Sequence, residues 1–187
     1  MSHRQAGRLA GTLFLAVFLL YGVGSTLAPQ PAGLTLMVLN SAGVATIGAI
    51  AFRLLRTAAP RTALVYVLAR ITEAVALAIG VLFLAGGNAE ANQAAYVAAM
   101  VVLGVGSVPF CLALARHRVA PRWLSMWGVV GYVLLAVGVG LDSAVPGAGV
   151  ALAVPGGLFE LTLGVLLLVR GWPTRAPTVT PSVAATQ

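Results

Sequence analysis

Thr62–Ala85 reads TALVYVLARITEAVALAIGVLFLA. It is one continuous apolar run that carries two charged residues, Arg70 and Glu73. A helix needs about 20 apolar residues to cross the hydrocarbon core of a bilayer, and this run is long enough. It therefore predicts a transmembrane helix. A charge facing lipid at mid-depth costs at least ~2.5 kcal/mol. Arg70 and Glu73 must then face protein and find partners there.

Five further apolar runs flank it, giving predicted spans at about 9–28, 34–52, 62–85, 94–115, 123–141 and 149–169. They are long and continuous, unlike the short alternating strands of a barrel. The fold class expected is all-α, an integral membrane bundle of six transmembrane helices. One membrane domain covers residues 1–170. Residues 171–187 are rich in Pro, Thr, Ser and Ala, and they predict a disordered tail. The basic start and first run also resemble a signal peptide, but about 20 apolar residues exceed a usual signal core.

Composition agrees. The chain is 60% hydrophobic and only 8% charged, with a mean hydropathy of +1.01. A soluble domain carries about 25% charged residues. The net charge is +7, which in a soluble domain would raise nucleic acid as a partner. Here ten of the eleven basic residues flank the runs, and all eleven are Arg. Arg marks the N-terminus, the loop after span two, the loop after span four and the C-terminus. The other three connections carry no Arg. This alternation predicts both termini in the cytoplasm, and no nucleic-acid partner is expected.

Orientation converts position into depth at 1.5 Å per residue. Arg70 lies about 12 Å and Glu73 about 16 Å from the cytoplasmic start of span three. Glu160 lies about 14 Å from the cytoplasmic end of span six. The three charges share one level. Tyr132 and Ser107 fall roughly 12–14 Å deep, and Asn40 and Tyr21 about 18 Å. Tyr66, Arg70 and Glu73 are spaced i, i+4, i+7 and share one helix face. The candidate polar network is therefore Arg70, Glu73, Glu160, Tyr66, Tyr132, Ser107 and Asn40. Its stoichiometry is one Arg to two Glu. If Arg70 pairs with one carboxylate, the other is free to carry a proton or meet a cation. Alternatively the network only ties helices together. Pro109 and Pro155-Gly156-Gly157 predict local breaks in spans four and six beside this layer.

Arg118, Arg122, Trp123 and Trp127 form a basic, aromatic boundary segment. It predicts anchoring at the interface and contact with anionic lipid head groups on the cytoplasmic face. Enzyme signals are weak. The absence of Lys excludes Schiff-base chemistry and a P-loop. His3 and His117 lie outside the spans, so no haem or His-rich metal site is expected. No cofactor is implied. Cys111 reads as a small packing residue.

Arg70-Ile-Thr-Glu73, Pro121-Arg122-Trp123-Leu124-Ser125-Met126-Trp127-Gly128-Val129-Val130-Gly131-Tyr132 and Phe159-Glu160-Leu161 together resemble the bacterial membrane family called domain of unknown function 4386. Arg8 with Gly11, and Gly171-Trp172, add to the resemblance, and Pro-Arg-Trp-Leu-Ser is its most specific part. It implies a multi-pass protein of the bacterial inner membrane. It supplies no catalytic residues. The function expected is that of a membrane protein whose buried Arg/Glu network binds or moves a small solute, ion or proton, or else a structural or regulatory subunit.

Overall fold

The computed structural model describes residues 1–142 and 144–173. It contains six long helices: α1 (His3–Leu27), α2 (Pro31–Leu55), α3 (Pro60–Ala85), α4 (Ala89–Arg116), α5 (Arg122–Leu141) and α6 (Ala148–Arg170). All six are long and apolar enough to cross a membrane. Local chemistry sets their ends. Ser2 and Gln5 form a reciprocal capping box on α1, with Gln5 N–H donating to Ser2 Oγ at 3.2 Å and Ser2 N–H to Gln5 Oε1 at 3.0 Å. Pro31 and Pro60 open α2 and α3 at positions that need no N–H donor. Asn88 Oδ1 accepts from Ala91 N–H at the start of α4. Asp142 Oδ1 accepts from Gly147 and Gly149 N–H and closes the turn into α6.

Short loops make successive helices antiparallel. Each helix packs on its sequence neighbours, and α1 also packs on α6, which closes a ring. Among the described residues no helix pairs across the ring. An even number of spans puts the N-terminus and the end of α6 at the same end. Helix axes in contact lie about 8–10 Å apart, so a six-membered ring leaves a central column about one helix wide. Side chains must fill it. Leu19, Leu68, Val105, Val130 and Val150 point outward and are exposed. In water this would be a large apolar surface; in lipid it is the expected one.

Two structural findings correct the sequence reading. α4 and α6 stay helical through Pro109 and through Pro155-Gly156-Gly157, with no break. A proline removes one intrahelical hydrogen bond, and packing within the ring retains the helix. Secondly, Gly171 and Trp172 pack against α1 rather than starting a tail, and Trp172 is 7% exposed. Residues 174–187, the rest of the expected tail, lie outside the described residues.

Close approach at the ring closure requires glycine. A Cβ on Gly11 would fall 2.5 Å from Leu168 N and 2.6 Å from Gly164 O, and one on Gly7 would fall 2.1 Å from Trp172 N. These are backbone atoms that cannot swing aside. Gly7 and Gly11 are therefore the seam by which α1 meets α6. Gly11→Val is expected to lower the stability of the purified protein by about 1–3 kcal/mol or more. Gly22→Ala, where an added Cβ meets nothing within 4 Å, is the matched control. Thermal denaturation in detergent checks this, and equal melting of both variants would contradict the seam.

Candidate functional site

Arg70 lies in the column of the ring and is 1% exposed. Its neighbours are set by helix periodicity. Tyr66 and Glu73 sit one turn either side of it on α3. Arg70 Nε donates to the Tyr66 hydroxyl at 2.9 Å, and Nη1 donates to Glu73 Oε2 at 3.0 Å. Nη2 reaches across the ring, donating to Glu160 Oε1 of α6 and, at 3.5 Å, to the Tyr132 hydroxyl of α5. The Tyr132 hydroxyl in turn donates to Glu160 Oε1. All three guanidinium nitrogens are engaged, and one cation bridges both carboxylates. Aromatic faces complete its surroundings, with Arg70 Cζ 5.5 Å from the Phe14 ring centre and 5.3 Å from that of Tyr66.

The column differs on the two sides of this cluster. Next to the cluster on the termini side it is filled, and a separate pocket of about 280 Å³ lined by His3, Leu55, His117 and Trp172 lies at the termini end. Tyr66 stacks on Phe110 with ring centres 3.9 Å apart, and Phe159, Leu163 and Leu167 are almost wholly buried. Away from the termini lies a cavity of about 260 Å³. Arg70, Glu73, Glu160, Tyr132 and Asn40 give it a polar lining, and Phe18, Leu77, Met100, Leu103 and Leu135 line its apolar walls. Arg70 and Tyr132 occupy Oε2 of Glu73 and Oε1 of Glu160, so each carboxylate keeps a second oxygen. Asn40 is 4% exposed, and among the described residues its side-chain amide joins no hydrogen bond of the cluster.

Tyr21 and Tyr96 also line the cavity and stack on each other, ring centres 5.8 Å apart. They come from α1 and α4, opposite members of the ring. Tyr21 lies about 9 Å from its helix end and Tyr96 about 10 Å, whereas Glu73 and Glu160 lie about 18 Å from theirs. The tyrosine pair therefore stands between the charged cluster and the end opposite the termini.

Of the residues singled out from sequence, Arg70, Glu73, Glu160, Tyr66 and Tyr132 meet in one hydrogen-bonded cluster. Asn40 joins them through the cavity. Ser107 does not: it is fully buried, its Oγ has no hydrogen-bond partner among the described residues, and it does not line the cavity. Depth gives a level but not a reach, and a serine hydroxyl extends one atom beyond Cβ where Arg70 spans the ring. Tyr96 was missed because its place near a helix end reads as an interfacial tyrosine. The chain's four tyrosines, Tyr21, Tyr66, Tyr96 and Tyr132, all contribute to the cluster or the cavity, and that common fate was the available signal. Arg118, Arg122 and Trp123 are exposed at the termini end, and the Trp123 and Trp127 rings stack 6.2 Å apart.

A closed ring of six membrane-spanning helices around a buried Arg/Glu cluster defines the class: a multi-pass membrane protein. Residues 87–171 match the family described as domain of unknown function (DUF4386). The match takes in Tyr96, Tyr132 and Glu160 but stops short of Arg70 and Glu73. No curated protein and no solved structure matches the chain.

Arg70 is the only cation in the cluster, so its removal strands two buried carboxylates. Arg70→Met is expected to cost about 3–5 kcal/mol. Adding Glu73→Gln and Glu160→Gln to it is expected to recover part of that loss, because no unpaired charge remains. Unfolding of the single and triple variants in detergent measures both. A harmless Arg70→Met would show that the pairs carry no structural weight.

Proposed function

We propose that this protein binds a small solute or ion in the ring cavity, on the floor made by Arg70, Glu73 and Glu160. The single observation behind this reading is the cavity itself. A network that served only to join helices has no need of space beside it. Here about 260 Å³ abuts free carboxylate oxygens and the Asn40 amide. That volume is near the lower end of the range for small-molecule sites. Apolar walls with a few convergent polar groups are the usual composition of such sites. Filled packing on one side and a tyrosine pair on the other support a site entered from the end opposite the termini. Movement of the solute across the membrane would need the packed side to open.

The protein is proposed to lie in a bacterial inner membrane with both termini cytoplasmic. Support comes from the arginine alternation and from the family. In that orientation the cavity faces the outside, and Arg118, Arg122, Trp123 and Trp127 meet the cytoplasmic head groups, where anionic lipid is favoured.

A second reading has its own observation. Arg70 engages both glutamates and both nearby tyrosines, which ties α3, α5 and α6 together. On this reading the chain is a structural or regulatory subunit and the cluster is a clamp.

One variant separates the two readings without touching the clamp. Ala153 lines the cavity from α6, and Ala153→Phe fills it. A ligand present at 100 times its Kd stabilises the folded state by about 2.7 kcal/mol. A panel of small ions, amines, acids and neutral solutes is screened by thermal shift on wild type. At least one is expected to raise the melting temperature of wild type and not that of Ala153→Phe. No response from any panel member, with Ala153→Phe folded, would favour the clamp.

A further inference from the structure

We propose that the cavity takes a small organic monocation, an amine in its ammonium form with a short apolar body, and that its head lies between Glu73 and Asn40. This deepens the proposal that the cavity is a binding site and rests on it.

One guanidinium faces two carboxylates. The charge that this site still lacks is positive. The guanidinium has little left for an anion, because four of its five N–H groups go to Tyr66, Glu73, Glu160 and Tyr132. An anion entering the cavity would meet an open oxygen on each of two carboxylates and a single uncommitted Nη1–H of Arg70.

The two carboxylates are not equivalent. Glu160 accepts from both Arg70 and Tyr132, whereas Glu73 accepts from Arg70 alone. Glu73 is the less satisfied group and keeps Oε1 for a donor. Asn40 supplies a second acceptor. It is 4% exposed and lines the same cavity, and its amide, which makes no hydrogen bond among the described residues, is open there to a ligand or water. An added Cβ on Gly48 of α2 would lie 2.7 Å from Arg70 Cβ, which sets the register of α2 against α3. Asn40 then lies about 12 Å beyond Gly48, and Glu73 about 4.5 Å beyond Arg70. The two backbone positions differ by about 7.5 Å along the axis. That spacing accommodates one ammonium group donating to a side-chain oxygen on each side.

The walls suit the rest of such a ligand. Phe18, Leu77 and Leu135 offer apolar surface for a short carbon body. Tyr21 and Tyr96, stacked on each other, put aromatic surface on the way in, and aromatic rings attract cations. A hydrated metal ion would gain little from these walls. Their apolar character is why an organic cation fits better than an inorganic one.

The test uses the full-length protein in lipid nanodiscs, with three probes of equal carbon length: n-butylammonium, n-butanol and n-butyrate. Isothermal titration calorimetry at neutral pH reads each affinity. Butylammonium is expected to bind about tenfold or more tightly than butanol, the gain of a charge-assisted hydrogen bond. Butyrate is expected to bind most weakly. Glu73→Gln is expected to abolish the preference for the cation over butanol. Should that variant fail to fold, Asn40→Ala and Tyr96→Leu, both outside the ion pairs, are each expected to weaken butylammonium several-fold and leave butanol within twofold. Equal or tighter binding of butanol or butyrate overturns the inference. If that binding is lost in Ala153→Phe, the cavity remains a binding site and only the ligand class is wrong. Silence of all three probes also overturns the inference, and the wider panel then decides whether the cavity binds anything.

Discussion

Arg70 divides its donors among four side chains on three helices, and the arrangement of the ring follows from that demand. A guanidinium at this depth cannot face lipid. It turns into the column, where Tyr66 and Glu73 of its own helix meet it one turn away. Three N–H donors remain, and two of them go to groups that only other helices can supply. Glu160 and Tyr132 supply them from α6 and α5. The cluster thus links helices that do not pack directly on α3, which is what a ring without cross-contacts otherwise lacks. Buried ion pairs often contribute little net stability because desolvation offsets attraction. Their effect here lies in specificity: few other helix arrangements would satisfy all three charges.

The ring also explains why one side of the cluster is full and the other is not. A column one helix wide has to be filled by side chains. Towards the termini, Phe14, Tyr66, Phe110 and Phe159 do so, each large and each almost fully buried. Beyond the cluster the inward residues include Asn40, Ala153, Gly156 and Gly157, several of which are too small to reach the axis. The cavity is the volume that those small residues leave. It places water-accessible space against groups whose hydrogen bonds are incomplete, the combination that makes the cluster a candidate binding site as well as a brace.

Much of the architecture was legible in the sequence, for a definite reason. Lipid forces each span to be long, apolar and helical, so six runs gave six helices with ends close to their polar flanks. Depth counting brought Arg70, Glu73 and Glu160 to one level because neighbouring spans run antiparallel and straight. It went astray over Ser107, where level was right for the layer but reach was not. It gave no sign of the Tyr21–Tyr96 pair, because which helices face each other across a ring is a matter of topology. The expected breaks at Pro109 and Pro155 overstated the loss of one hydrogen bond against the packing of a whole helix. The cavity itself was illegible: it depends on which small residues turn inward at the same height.

The central claim is that the Arg70 cluster floors a cavity reached from the end opposite the termini, past the Tyr21–Tyr96 pair, and not from the termini side. Cys111 is buried and is the chain's single cysteine, so a Cys111→Ala background allows one new cysteine to be placed. In sealed vesicles, a cysteine at Ala153 is predicted to react with a membrane-impermeant thiol reagent supplied opposite the termini. It is predicted to be protected when the reagent is supplied on the termini side. Reaction from the termini side, or from neither side, would contradict the account.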